Sequence, residues 1–268
     1  MRSLLADYIP PILVKKLLPI ARKIKVGGGH IESYQDLDLV KMILLKNLQL
    51  RQTATLTNLD VMSFRTIAAV GMAIENKSKL TVLDFGGGAG HHQFLAKNLF
   101  KNVNFDWTVV ETEEMSRTVQ EVIKEGGLKF ISSLKTLTKE NSFDLIFSNS
   151  AIQYTQDPLK TLSELLNLGF GHFFITRVPL NLGNSQISYL QESLLSQNGP
   201  GPAPMDIQDK WVKYQNNIVS KDSFERILNE GLESWTSVDE GSWDPGRFGN
   251  RVRTYSFFGP AKNGINQR

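Results

Sequence analysis

Apolar residues recur every three or four positions across residues 34–76: Leu37, Val40, Leu44 and Leu48, then Met62, Ile67, Val70 and Ile74. That spacing sets one face of a helix against a core, so the segment predicts amphipathic helices. From residue 80 the period changes. Short β-branched and aromatic runs at 81–85 (TVLDF), 107–111 (WTVVE), 129–132, 144–148 (DLIFS) and 172–177 (HFFITR) read as buried strands. Between them lie helical stretches at 92–99, 113–125 and 159–168, the last opened by Pro158 at the favoured first position. Strands alternating with helices build a parallel sheet covered on both faces, a Rossmann-like open α/β sheet.

Residues 180–220 break this rhythm with polar positions and the run GPGPAP at 199–204. A helix is expected over 221–230, an antiparallel pair from 235–238 and 254–258 at the sheet edge, and a frayed end at 261–268. The chain thus divides into a helical extension over 1–76 and a main domain over 77–268, with an insertion at about 180–220.

With 268 residues, 41% hydrophobic and 21% charged, the chain has the composition of an ordinary globular protein, not of a disordered, collagen-like or coiled-coil one. There is no cysteine, which removes disulfides, cysteine-ligated metals and a thiol nucleophile. The four histidines, His30, His91, His92 and His172, are too few for a His-rich metal site. Asp144 starts its strand and Asp157 lies past the pocket loop, so no carboxylate cluster and no metal is expected.

The net charge of +3 is unevenly placed. Residues 1–30 carry +5, from Arg2, Lys15, Lys16, Arg22, Lys23 and Lys25 against Asp7, and the remainder sums to −2. A nearly neutral body argues against a nucleic-acid-binding face. Residues 9–24 (IPPILVKKLLPIARKI) are too short and too basic to span a membrane, and no small-residue cleavage site follows, so no signal peptide is expected. Two readings stay open for residues 1–29: a basic helix broken near Pro19 that packs its apolar face on the domain, or one that touches anionic lipid or an acidic partner. A cytoplasmic location, or the inner face of the membrane, fits both and fits the missing cysteines.

The most informative stretch is Asp84-Phe85-Gly86-Gly87-Gly88-Ala89-Gly90, a strand running into glycines ahead of a helix. Glycines at that junction let a ligand approach the backbone closely. A dinucleotide fingerprint needs glycines at i, i+2 and i+5; from Gly86 the last falls on His91, and from Gly88 on Gln93. The pattern present is D-x-G-x-G-x-G, which resembles motif I of class I S-adenosylmethionine (SAM)-dependent methyltransferases. The resemblance implies a loop of Gly86, Gly87, Gly88 and Gly90 around the amino-acid end of SAM, with Asp84 helping to bind its ammonium. Glu111, at the end of the next strand, is placed to accept from ribose hydroxyls, or to cap the following helix. The run 143–154 resembles motif IV of the same fold and supplies Asn149, Ser150, Gln153 and Tyr154 beyond a strand's carboxyl end.

A narrower resemblance covers roughly residues 10–258. The segments LDFGGGAGHHQFL, DWTVVE, FDLIFSNSAIQYTQDPLKTLSELLNLG and HFFITRVPLN are similar to a family of bacterial methyltransferases associated with genes for surface polysaccharide and O-antigen synthesis. Some members are similar to enzymes that methylate terminal Kdo sugars. The pair His91-His92 departs from that pattern, where small or hydroxyl residues are expected. The resemblance implies a class I methyltransferase fold, a mostly parallel seven-stranded sheet with helices on both faces and a helical N-terminal extension. It implies SAM as cofactor and a sugar or small molecule as acceptor.

A hydroxyl acceptor must lose a proton, and His91 or His92 can take it near neutral pH. Tyr154 is a further catalytic candidate that also shapes the pocket, and Asn149 and Ser150 are expected against the cofactor. Gln153, Arg177, Trp211 and Tyr214 are acceptor-binding candidates, Arg177 through its planar fork and the other two by stacking from the insertion. His172 starts its strand, at the wrong end of the sheet for catalysis. Transfer to a small metabolite or natural product, and a non-catalytic SAM-binding module, are the alternatives; the oligomeric state is not legible.

Overall fold

The computed structural model describes residues 33–53, 61–138, 140–204 and 209–262. The basic segment 1–29 and residues 263–268 lie outside the described residues; Ala261, at the start of the end expected to fray, instead bridges Leu232 and donates its N–H to the Gly171 carbonyl. The first helix, α1 (Leu37–Thr53), starts where the Asp36 carboxylate accepts the N–H groups of Asp38 and Leu39. It is followed by α2 (Val61–Ile74). The alternating part then runs β1 (Lys79–Phe85), α3 (His91–Leu99), β2 (Asn104–Val110), α4 (Glu113–Val122), β3 (Leu128–Ile131), β4 (Ser142–Asn149), α5 (Pro158–Leu166) and β5 (Gly169–Asn181). Parallel pairing gives the order β3-β2-β1-β4-β5. The Rossmann-like expectation holds for all five strands.

The C-terminal part adds β6 (Ile187–Leu194), β7 (Trp211–Ser220), α6 (Lys221–Gly231), β8 (Thr236–Ser242), the single turn α7 (Pro245–Phe248) and β9 (Val252–Pro260). Strand β9 lies antiparallel between β5 and β8, so the expected edge pair exists but its second strand is internal. The insertion is more ordered than its polar sequence suggests. Strands β6 and β7 form an antiparallel hairpin that joins the sheet where Leu180 and Asn181 of β5 pair with Val219 and Ser220. The sheet therefore has nine strands, the seven expected and two from the hairpin. Along β7, Val212, Tyr214, Asn216 and Ile218 face inward; a buried Asn216 interrupts the apolar alternation that would have flagged a strand.

Adjacent strand residues feed two cores. Val82, Trp107, Leu145 and Phe147 pack on one face with α1–α4, while Leu83, Ile146, Phe173 and Phe257 pack on the other with α5 and α6. Helices α1 and α2 share the first core, which sets α1 over the carboxyl ends of β1 and β2. No helix among the described residues is long and apolar enough to cross a membrane.

Candidate functional site

The carboxyl ends of β1, β2, β4 and β5 open into a cavity of about 1130 Å³. That is just above the roughly 300–1,000 Å³ of small-molecule sites, enough for a cofactor and an acceptor together.

One half is built by the glycine loop. Gly86, Gly88 and Gly90 all adopt left-handed backbone angles, at φ of 75°, 58° and 76°. A side chain on Gly86 would overlap Ala151, and one on Gly87 would overlap the Asp84 carboxylate, whereas a Cβ on Gly88 would meet only Ile43 of α1, at 3.5 Å. The loop is therefore bare on the cavity side. Glu111 accepts the Gly88 N–H at 2.9 Å and the Thr112 N–H at 3.0 Å, which ties the end of β2 to the loop. Thr112 caps α4, so Glu111 is not the cap and stays on the cavity wall. Burial raises its pKa above the usual carboxylate value; the two backbone N–H groups oppose that, and the nearby Asp84 adds to it.

Asp84 itself does not reach the cavity. Its side chain is fully buried, and Oδ2 accepts from Trp107 Nε1 at 3.0 Å and sits 2.9 Å from Nδ1 of His92. Both of these contacts are made by Oδ2, and Oδ1 has no hydrogen-bond partner among the described residues. His91 and His92 both line the cavity in the first turn of α3, His91 stacked on Phe94 and His92 edge-on to Phe147. Gly90 lies outside the lining; its carbonyl accepts from Arg51 of α1 at 3.1 Å.

The other half is polar and aromatic. Asn149 and Ser150 line it at the end of β4, with Ser150 held at φ 58° by its N–H bond to the Thr176 carbonyl. Gln153 is buried in the turn Ile152–Tyr154, where its amide donates to the Ser150 hydroxyl at 2.9 Å. It supports Ser150 and is not among the residues that line the cavity. Tyr154, Tyr214 and Tyr34 form a triangle of rings with centroids 5.3–5.4 Å apart. Burial drives the Tyr34 and Tyr154 phenols well above their usual pKa, so both remain protonated donors. Arg177 lines the same half. Trp211 does not: it is half exposed and, three positions from Tyr214 on β7, points to the opposite face of the hairpin. His172 lies at the other end of β5, stacked on Phe258.

Several wall residues carried no sequence signal. Tyr34 precedes α1, Ile43 is within it, and Ser63 comes from α2. Residues 197–201 cover the cavity from the hairpin, and Lys46 of α1 holds them by donating to the carbonyls of Ser196, Asn198 and Gly199 at 2.9–3.0 Å. Among the described residues no group of three or more His, Asp or Glu side chains converges as a metal site would require.

Residues 83–168 match the methyltransferase domain family. No curated protein sequence matches the chain. Among solved structures, the N-terminal domain of EvdMO1 with S-adenosylhomocysteine (SAH) bound is 14% identical, with 77% of this chain and 83% of that one covered at a TM-score of 0.51. The [4+2]-cyclase SpnF is 13% identical, with 90% and 98% covered at a TM-score of 0.53. These likenesses establish the fold. The domain match identifies a methyltransferase domain over residues 83–168, whose bare glycine loop and strand-end Glu111 fit SAM as its cofactor.

Proposed function

We propose that the chain methylates a hydroxyl of a sugar, at the terminus of a bacterial surface polysaccharide or on a precursor of one. The division of the cavity into a bare glycine-loop half and a half walled by Tyr34, Tyr154, Tyr214, Arg177 and Gln191 supports this reading. Bound on the loop, SAM supplies an electrophilic methyl group on a sulfonium. The protein's part is alignment, exclusion of water and removal of the hydroxyl proton.

The raised tyrosine pKa values disqualify Tyr34 and Tyr154 as bases and suit them to orient a hydroxylated ligand. His92 is the better base. Asp84 holds its Nδ1–H, which leaves Nε2 as the basic nitrogen on a residue of the cavity wall. The cover formed by residues 197–201 favours a terminal sugar or a free small molecule over an internal unit of a long chain. A glycan substrate assembled at a membrane also gives the basic segment 1–29 a role in holding the enzyme beside anionic lipid.

The test is transfer of labelled methyl from SAM to a panel of Kdo-terminated oligosaccharides, free sugars and phenolic or amine metabolites. Label on sugars is expected. Label confined to the metabolites removes the sugar reading, and no label on any acceptor despite tight SAH binding points to a binding module.

A further inference from the structure

Arg177 is a half-buried guanidinium with no ion pair or hydrogen bond to any described residue. Withdrawing a charge even partly from water without a partner is costly. The two charged side chains that act on it do not relieve it. Arg65 repels it, and Glu240 is already committed: Glu240 pairs with Arg65 and accepts the hydroxyls of Thr176 and Ser256. Arg65 and Glu240 cancel, so this corner of the cavity keeps one positive charge.

The backbone is bent to put it there. The β5–β9 register shifts between Ile175 and Val178, and within that irregularity Arg177 sits at φ 58°, a left-handed angle that a non-glycine residue adopts only under constraint. Bulges beside active sites commonly re-aim one side chain. Here the re-aimed side chain is the guanidinium, among the cavity-lining residues beside Tyr154.

We propose that the acceptor carries a monoanionic oxyanion, a carboxylate or a phosphodiester, which Arg177 clamps while the tyrosine hydroxyls hold its neutral part. This rests on the sugar-methylation reading above and names the class of sugar derivative. A monoanion neutralises the corner, and the flat guanidinium offers two parallel N–H groups to it. A neutral acceptor would cover the guanidinium and leave its charge unmatched. A quaternary ammonium, which three tyrosine rings would otherwise suit, is repelled by it.

The test uses the full chain saturated with SAH and ligand-observed NMR with acetate, glucuronate, dimethyl phosphate and, as neutral control, glucose. Acetate, glucuronate or dimethyl phosphate is expected to bind ahead of glucose, and comparison of the carboxylates with the phosphodiester separates the two anion sources. Arg177→Gly is expected to weaken anion binding by about tenfold or more. Its thermal midpoint should not fall, since glycine accepts the left-handed angle freely. Arg177→Lys should fall between the two, keeping the charge but losing the fork.

Equal glucuronate and dimethyl phosphate binding in parent and Arg177→Gly overturns the proposal. So does a large loss of SAH affinity in Arg177→Gly that is absent for methylthioadenosine, because that pattern assigns the guanidinium to the cofactor's own carboxylate. Anion binding without methyl transfer to any sugar removes the sugar reading and leaves this one standing. Transfer to neutral sugars without anion binding does the reverse.

Discussion

The Asp84 carboxylate lies behind the glycine loop, 2.9 Å from Nδ1 of His92 through the same oxygen that accepts the Trp107 indole N–H. One buried oxygen thus joins the end of β1, the middle of β2 and the first turn of α3. The pair also fixes the imidazole: with Nδ1–H directed at the carboxylate, the ring can turn neither its plane nor its tautomer freely.

If His92 is the base, the consequence is kinetic. His92→Gln should lower kcat by about 10²–10⁴-fold, the range for a lost general base. SAH affinity, measured by calorimetry, should change little. His91→Gln should leave kcat within a few-fold of the parent, because the His91 ring is stacked on Phe94. Equal losses in both variants would count against the assignment.

Gly86 and Gly88 share a left-handed backbone but face different surroundings. Gly86→Ala drives a methyl group into Ala151 and should destabilise the fold by about 3 kcal/mol, from overpacking and strain combined. In Gly88→Ala the methyl group meets only Ile43 at 3.5 Å, so the cost should be about 1–2 kcal/mol, from the backbone alone. That methyl group occupies the side of the loop proposed for SAM, so SAH binding should be strongly weakened while the protein stays folded. Thermal melts and calorimetry on the two variants separate the roles; a Gly88→Ala protein that binds SAH normally would contradict the placement.

Much of this was readable from residue order because the signals were local. A β-branched run followed by glycines, an acid closing the next strand, and Asp157-Pro158 opening α5 each depend on neighbours a few residues away. Hairpin β6–β7 was not readable, since its inward positions include the buried Asn216, which Gln191 partners across the strands: the amide donates to the Gln191 side-chain oxygen at 2.9 Å. Tyr34 and Lys46 were not readable either. Their roles arise only when α1 folds over the loop, and Lys46 meets its carbonyls 150 to 153 residues away. Asp84 was recognised as part of a motif, but its occupation by His92 and Trp107 depends on which residues pack behind the strand.

Lys46 gives a test of the cavity cover. Its buried ammonium satisfies three carbonyls of residues 196–199, and burial lowers its pKa below the usual lysine value. Lys46→Met removes the donor and leaves those carbonyls unpaired, at a cost of about 2–4 kcal/mol. Lys46→Arg should not rescue it, because a planar fork does not match three carbonyls converging on one point. Hydrogen exchange should rise first in residues 195–201, and affinity for SAH should fall with it. Unchanged exchange in that segment would show that the hairpin holds itself closed.

His172 predicts how stability depends on pH. Burial against Phe258, reinforced by Lys77 and opposed by Glu75 and Asp144, lowers its pKa from the ordinary 6.5. The folded state therefore holds the ring neutral at pH values where the unfolded chain takes up a proton. Its contribution is complete above pH 6.5 and is lost as pH falls from there through the depressed folded value. Parent protein should lose thermal stability across that window, and His172→Phe, which keeps the stacking and removes the titration, should lose less. Melting curves between neutral pH and pH 5 measure the difference; parallel curves for the two proteins would mean that the pH dependence arises elsewhere.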